Sequence, residues 1–135
     1  MIQRIQTVYL ILAVLLTISV VFTALFDRLL EDPQAWILSA FIAAVAFSVG
    51  ISIWSVFKFT DRPAQAATVS KAMVFQLIAM GVGVAVFFTM GPINSGDIGE
   101  FLGVGLLSVG LLFQLLARIA ILKDEKLVKS MDRIR

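Results

Sequence analysis

Four long apolar stretches, each near the length that crosses a lipid bilayer, constrain the fold of this chain more than any other feature. They cover residues 7–26, 35–57, 72–91 and 98–118. About 20 apolar residues are needed to span the roughly 30 Å hydrocarbon core of a membrane. Backbone groups find no water in that core, so spanning runs of this length must be helical. The sequence therefore predicts an all-α membrane protein with four transmembrane helices.

The composition excludes several other classes of protein. Hydrophobic residues make up 60% of the chain and charged residues only 15%, whereas a soluble domain has about 45–50% apolar and about 25% charged residues. A soluble globular domain and a disordered chain are both excluded. The chain has no cysteine and no histidine, so disulfides, thiol chemistry and the commonest metal ligands are excluded as well.

Residues typical of helix boundaries lie between the apolar stretches. Asp32 and Pro33 read as the N-cap and first residue of the second helix. Residues 61–63 predict that the third helix begins before its membrane span. Asp97 and Glu100 have the spacing of a capping box at the start of the fourth helix. Connections this short force neighbouring helices to be antiparallel, so residues 1–135 are predicted to form one integral membrane domain, an antiparallel four-helix bundle.

The basic residues predict the orientation of this bundle. Ten of the eleven Lys and Arg residues lie at the two ends of the chain or between the second and third helices, and only Arg28 lies on the opposite side. Such an asymmetry over short loops predicts that both termini are cytoplasmic. Residues 119–135 form the cytosolic tail in this topology. No glycine or proline interrupts residues 111–135, so we expect the fourth helix to continue into the tail as a C-terminal helical extension.

Catalysis and transport within a single chain are both disfavoured. No Asp, Glu, Lys, Arg or His falls inside the four membrane cores and no span has a central proline, whereas transporters usually need an intramembrane charge or a broken helix. The carboxylates of Asp27, Glu31 and Asp32 are more typical of a solvated outer loop than of a cation site. We therefore expect no enzyme activity, no catalytic, cofactor-binding or metal-binding residue and no cofactor. Nucleic acid is not an expected partner.

Small residues recur at helix-packing spacing in the third and fourth helices. They are Ala79, Gly83, Gly99, Gly103 and Gly110. Small side chains let helices approach closely in lipid. These faces could dock a partner protein, but packing among the four helices of one chain is the commoner use of such spacing.

Two amides, Gln76 and Gln114, lie at matching depths about one turn inside the third and fourth spans. An amide in hydrocarbon seeks a hydrogen-bond partner. We predict that these two side chains bond to each other across the seam between the two helices. The other hydroxyls of the spans are expected to bond back to their own helices rather than to line a path; they are Thr17, Ser19, Thr23, Ser39, Ser55, Thr89 and Ser108.

The tail allows two interpretations. It carries an apolar stripe at i, i+4 and i+7, formed by Leu127, Met131 and Ile134. As a topogenic basic tail it would only lie near anionic lipid. As a docking surface, Asp124 or Glu125 would pair with Arg4, and the stripe would pack on the loop between helices two and three or on a partner.

Both ends of the chain carry distinctive sequences. Residues 1–10 read MIQRIQTVYL, and residues 117–121 and 123–135 read ARIAI and KDEKLVKSMDRIR. These ends resemble those of a protein family from Gram-negative bacteria that is catalogued as domain of unknown function 4293. The resemblance implies a small four-span protein of the bacterial inner membrane with both termini inside. Met131 departs from the small residue expected there. The resemblance implies no activity, because the family has none assigned.

We therefore expect a non-catalytic integral inner-membrane protein that acts as an accessory or assembly subunit of a membrane complex. Its expected partners are membrane lipids and either another inner-membrane protein or further copies of itself. The main alternative is a small oligomeric channel or transporter. A lipid-interacting structural protein without a fixed partner is the third interpretation.

Overall fold

The computed structural model describes residues 2–31, 34–89 and 98–134, with side chains from residue 5 onward. Within these ranges the chain forms five α-helices: α1 (Ile2–Ser19), α2 (Ala24–Glu31), α3 (Ala35–Phe57), α4 (Arg62–Thr89) and α5 (Ile98–Asp132). The long helices α1, α3, α4 and α5 each contain a segment long and apolar enough to cross a membrane. The predicted all-α fold with four spans is confirmed.

The first span ends earlier than the sequence suggested. α1 stops at Ser19 and a short 3-10 turn, Val20–Phe22, follows it. Thr23 is extended, with φ −104° and ψ 156°, and separates this turn from α2. The change of direction lets the amphipathic α2 turn Leu25 and Leu29 into the bundle, where both are fully buried. Burial of these two leucines explains why residues 24–31 form a separate helix rather than the end of a span and a loop.

The third long helix begins before its span, as predicted. α4 starts at Arg62, and the Asp61 carboxylate Oδ1 accepts a hydrogen bond of 3.1 Å from the Ala64 backbone N–H. This side-chain bond caps the helix. The other predicted caps involve Asp32, Pro33 and Asp97, which lie outside the described residues.

The four long helices pack in the cyclic order α1, α3, α4, α5. The seams α3–α4, α1–α5 and α4–α5 are closely packed, whereas the seam between α1 and α3 is more open. α5 has 35 residues, which gives about 52 Å at a helical rise of about 1.5 Å per residue. It exceeds the hydrocarbon thickness by about 20 Å, so its last turns extend beyond the bundle.

The bundle core contains two apolar clusters. We call the end of the bundle that contains α2 the acidic end, and the end where α3 connects to α4 the basic end. The cluster at the acidic end comprises Val20, Leu25, Leu29, Ile37, Phe41, Ala44, Ala79, Val86 and Leu107. The cluster at the basic end comprises Leu10, Ala66, Val69, Ala117 and Ile121. Polar side chains lie between them, at the middle of the bundle.

Candidate functional site

Gln76 of α4 lies at the centre of this polar layer and is fully buried. Its side-chain Nε2 donates hydrogen bonds of 3.1 Å to Thr17 Oγ1 of α1 and 3.1 Å to the Leu107 carbonyl of α5. Its Oε1 accepts a hydrogen bond of 2.8 Å from the Ser48 hydroxyl of α3. One amide therefore connects all four long helices.

Gln114 of α5 adds a second amide to the layer. Its Nε2 donates hydrogen bonds of 3.0 Å to Ser48 Oγ and 3.1 Å to Ser52 Oγ. The predicted direct bond between Gln76 and Gln114 is wrong, because all four amide N–H groups have other partners. Ser48 instead joins the two amides, accepting from Gln114 and donating to Gln76. We call Thr17, Ser48, Ser52, Gln76 and Gln114 the polar layer.

Thr17 shows how the hydroxyls of the layer divide their bonds. Its hydroxyl donates to the Ala13 carbonyl at 2.7 Å, which leaves its lone pairs free to accept from Gln76. Other span hydroxyls, such as Ser19 and Ser108, also donate to carbonyls four residues earlier in their own helix. The prediction that most serines and threonines bond back to their own helices is confirmed.

The polar layer is closed at both ends. The apolar cluster at the acidic end covers one side and the cluster at the basic end covers the other. Hydrogen bonds between transmembrane helices stabilise a membrane protein by about 0.6 kcal/mol each on average. The layer therefore stabilises and aligns four helices.

The small residues lie at close contacts within the chain. A β-carbon built on Gly103 would lie 2.5 Å from Leu25 Cβ, and one built on Gly99 would lie 3.0 Å from Ala24 Cβ. Gly83 faces Leu25 as well, and a β-carbon on Gly110 would lie 3.1 Å from Thr17 Oγ1. Together with the fully buried Ala79, these residues let α1, α2, α4 and α5 approach each other.

A buried ion pair joins α2 to α5 at the acidic end. Arg28 Nη1 donates to Glu100 Oε2, and the two side chains are 14% and 7% exposed. The only basic residue predicted for this side therefore neutralises a carboxylate that would otherwise be buried alone. This ion pair fixes α2 over the end of the bundle.

At the basic end, the charged residues of α5 pair in a way that the sequence did not indicate. Arg62 Nε of α4 lies 2.8 Å from Asp124 Oδ2, and Lys129 Nζ lies 2.6 Å from Glu125 Oε1 one turn away on α5. Asp124 and Glu125 therefore each have a partner on α4 or α5, and their predicted pairing with Arg4 stays a prediction. The side chain of Arg4 lies outside the described residues.

The predicted apolar stripe of the tail faces outward. Leu127, Met131 and Ile134 are 43%, 64% and 87% exposed. Met131 and Ile134 are therefore largely uncovered by the described chain, and Leu127 is partly covered. No group of three Asp or Glu residues in the described ranges is arranged to hold a metal ion.

The family described as domain of unknown function 4293 matches residues 2–134. The chain belongs to this family. No curated protein and no solved structure matches it. The four apolar helices of this family 4293 chain make it a multi-pass membrane protein.

The sequence did not indicate several of the residues that hold this family 4293 bundle together. No hydrogen bond was predicted for Ser48 or Ser52, although their four-residue spacing puts both hydroxyls on one face of the helix. Arg28 and Glu100 lie 72 positions apart, and no periodic pattern connects them.

Proposed function

We propose that this family 4293 protein is a non-catalytic integral protein of the bacterial inner membrane that acts by association, as an accessory or assembly subunit of a larger membrane complex. The observation that carries this proposal is the outward-facing stripe of Leu127, Met131 and Ile134 on the end of α5. The described chain leaves most of Met131 and Ile134 uncovered and covers Leu127 only in part. An apolar patch of this kind is typical of a protein interaction site.

The arrangement of the extension supports the same proposal. The Arg62–Asp124 ion pair connects the first residue of α4 to α5 just before the stripe. Continuous helix from Ile98 to Asp132 makes the extension a direct prolongation of a membrane span. A partner bound to the stripe would therefore be held in a fixed orientation relative to the bundle.

The interior of the bundle supports association rather than conduction. The polar layer uses its amide N–H groups for bonds between helices, and fully buried apolar side chains close it on both sides. Ion-selective pores are lined by rings of backbone carbonyls or charged side chains, whereas this layer is a single band of neutral side chains between two apolar clusters. An oligomeric channel or transporter, with a path between copies, is the alternative.

The proposed orientation places both termini in the cytoplasm. The support is the concentration of Lys and Arg at the basic end, against Arg28 alone at the acidic end. The positive-inside rule relates such a bias to the cytoplasmic side. In this orientation the exposed stripe faces the cytoplasm, where a partner would meet it.

Co-purification in a mild detergent tests the proposal. The test variant combines Leu127→Ser with Met131→Ser, and the control is Lys126→Gln, which changes an exposed residue beside the stripe. We expect a stoichiometric partner to be retained by wild type and control and lost from the test variant, with an unchanged melting temperature. A homo-oligomer that conducts ions in a planar bilayer would contradict the proposal and favour the alternative.

A further inference from the structure

The last turns of α5 extend beyond the rest of the bundle. Asp124 is the last buried residue of α5, and its Oδ2 lies 2.8 Å from Arg62 Nε of α4. Leu127 and Met131 follow on the helix. Ile134 lies in the turn after it, where its backbone N–H donates a hydrogen bond of 3.2 Å to the Met131 carbonyl. The stripe therefore begins where the burial of α5 in the bundle ends.

The unbroken helix sets the height of the stripe above the membrane. α5 is continuous from Ile98 to Asp132, and Arg118 is the first charged residue after its apolar stretch. Leu127 follows Arg118 by nine residues, which is about 13 Å at a rise of about 1.5 Å per residue. Headgroups occupy only about 5–8 Å on each side of the hydrocarbon. The stripe therefore begins above the headgroups, and the bilayer that α5 crosses does not cover it.

Three exposed cations border the stripe on one side. They are Lys123, Lys126 and Arg133, and we call them the basic border. A helix turns by about 100° per residue, and continuing that turn through Arg133 places the three within an arc of about 80°. None of them forms an ion pair with a residue that the structure describes, whereas Asp124 and Glu125 are already paired. Asp132 is the only exposed acidic residue of the described extension, so this side of it is positive.

Further copies of this chain do not complement this charge. Copies inserted into one membrane in the same orientation present the same basic border at the same height, so bringing their extensions together brings like charges close. The exposed Asp27 and Glu31 belong to α2 at the acidic end, across the membrane from the border. The charge therefore favours a different protein that is acidic where it meets α5.

We propose that the stripe binds an amphipathic helix of a different protein, whose apolar side chains pack on the stripe and whose acidic side chains meet the basic border. This inference rests on the proposed function and adds the chemistry of the partner. A helix fits because the stripe repeats at i, i+4 and i+7, the spacing at which two helices interlock their side chains. Charges beside such a seam select the partner and its orientation.

Two labelled variants of the full chain test whether the bilayer covers the stripe. The chain has no cysteine, so Met131→Cys and the control Leu112→Cys each give a single site for an environment-sensitive fluorophore. Leu112 is 57% exposed on the membrane span of α5. We expect the label at position 112 to emit as in hydrocarbon and the label at 131 to emit as in water, in nanodiscs of phosphatidylcholine and of phosphatidylglycerol alike. A blue shift at 131 in phosphatidylglycerol would overturn the proposal and assign the stripe to the lipid surface.

Two synthetic peptides test the chemistry of the partner. Both are helices three heptads long with the same leucines at the a and d positions, and the flanking e and g positions are Glu in one and Lys in the other. Fluorescence anisotropy measures the binding of each labelled peptide to the full chain in phosphatidylcholine nanodiscs. We expect only the acidic peptide to bind, with an affinity that falls as the ionic strength rises.

A charge-reversal variant tests the basic border. Lys123→Glu combined with Arg133→Glu should bind the acidic peptide about tenfold more weakly or worse. The control combines Lys58→Glu with Lys71→Glu, an equal charge change at the basic end but away from the extension, and should bind it as wild type does. Lys126→Gln leaves two of the three border cations in place and should retain most of the affinity.

The outcomes separate this inference from the proposed function. Equal binding of the two peptides, or equal loss in the reversal variant and its control, would overturn the acidic partner but leave association through the stripe in place. Binding of neither peptide would also overturn the inference, whereas the proposed function is decided separately by whether the Leu127→Ser and Met131→Ser changes release a co-purified partner.

Discussion

The backbone of Gly103 lies directly against Leu25, so that a β-carbon at position 103 would come within 2.5 Å of the Leu25 Cβ. Thr23 Oγ1 lies 2.8 Å from the same point. The lack of a side chain at Gly103 therefore allows α2 to pack against α5 at the end of the bundle.

Gly103→Ala should destabilise the protein by about 1–3 kcal/mol, the usual cost of overpacking a close contact. The matched control is Gly105→Ala on the same helix, because a β-carbon there meets nothing within 4 Å. Thermal unfolding in detergent measures both variants. A melting temperature for Gly103→Ala equal to that of Gly105→Ala would contradict the close approach of α2.

Ser48→Ala should cost about 1–3 kcal/mol, because it removes the donor to Gln76 Oε1 and an acceptor for Gln114 in a buried site. Ser39→Ala is the control on the same helix, since that exposed hydroxyl bonds only to the Trp36 carbonyl among the described residues. Chemical unfolding in mixed micelles compares the two. If both variants unfold at the same denaturant concentration, Ser48 does not connect the two amides.

Breaking the Arg28–Glu100 pair should cost about 3 kcal/mol, because Arg28→Met leaves the buried Glu100 carboxylate without its cation. A double-mutant cycle with Arg28→Met and Glu100→Gln measures the coupling, and the double variant should recover part of the lost stability. Asp27→Asn, at an exposed neighbour on α2, is expected to have little effect. Additive losses in the cycle would show that the two side chains act independently.

Asp124→Lys and Glu125→Lys should differ in their effect on hydrogen exchange in α5, although the two residues are adjacent and both substitutions change the charge equally. Asp124 pairs with Arg62 of another helix, whereas Glu125 pairs with the exposed Lys129 of its own helix. Only Asp124→Lys places like charges between α4 and α5, so it should accelerate hydrogen exchange in the last turns of α5. The partly exposed pair limits the effect to about 1 kcal/mol. Equal exchange in both variants would contradict the role of Arg62.

Hydropathy predicted the four spans because it depends only on the length and composition of each apolar stretch. These two properties are the same however the helices pack. It did not predict α2, because residues 24–31 are not apolar enough for a span, and only the extended Thr23 and the burial of Leu25 and Leu29 define that helix. Gln76 and Gln114 were correctly expected to be buried amides with hydrogen-bond partners. Their shared partner Ser48 depends on the position of α3 in the bundle, which two helices considered alone cannot give.

The Arg62–Asp124 pair was not predicted for a similar reason. Arg4, Arg62 and Arg118 all belong to the end rich in basic residues, so charge counting alone does not distinguish which of them meets Asp124. The register between α4 and α5 makes that choice, and it depends on packing along the whole seam.

The close seam between α1 and α5 has a consequence for the order in which the bundle assembles. α1 is synthesised before the other spans and α5 after them, yet each packs closely on the other. During insertion, Thr17 of α1, which accepts from Gln76 in the finished bundle, remains in lipid until α5 has left the ribosome. Closure of the bundle is therefore a late step of biogenesis, and the half-made protein exposes to the insertion machinery a polar face that the finished protein hides.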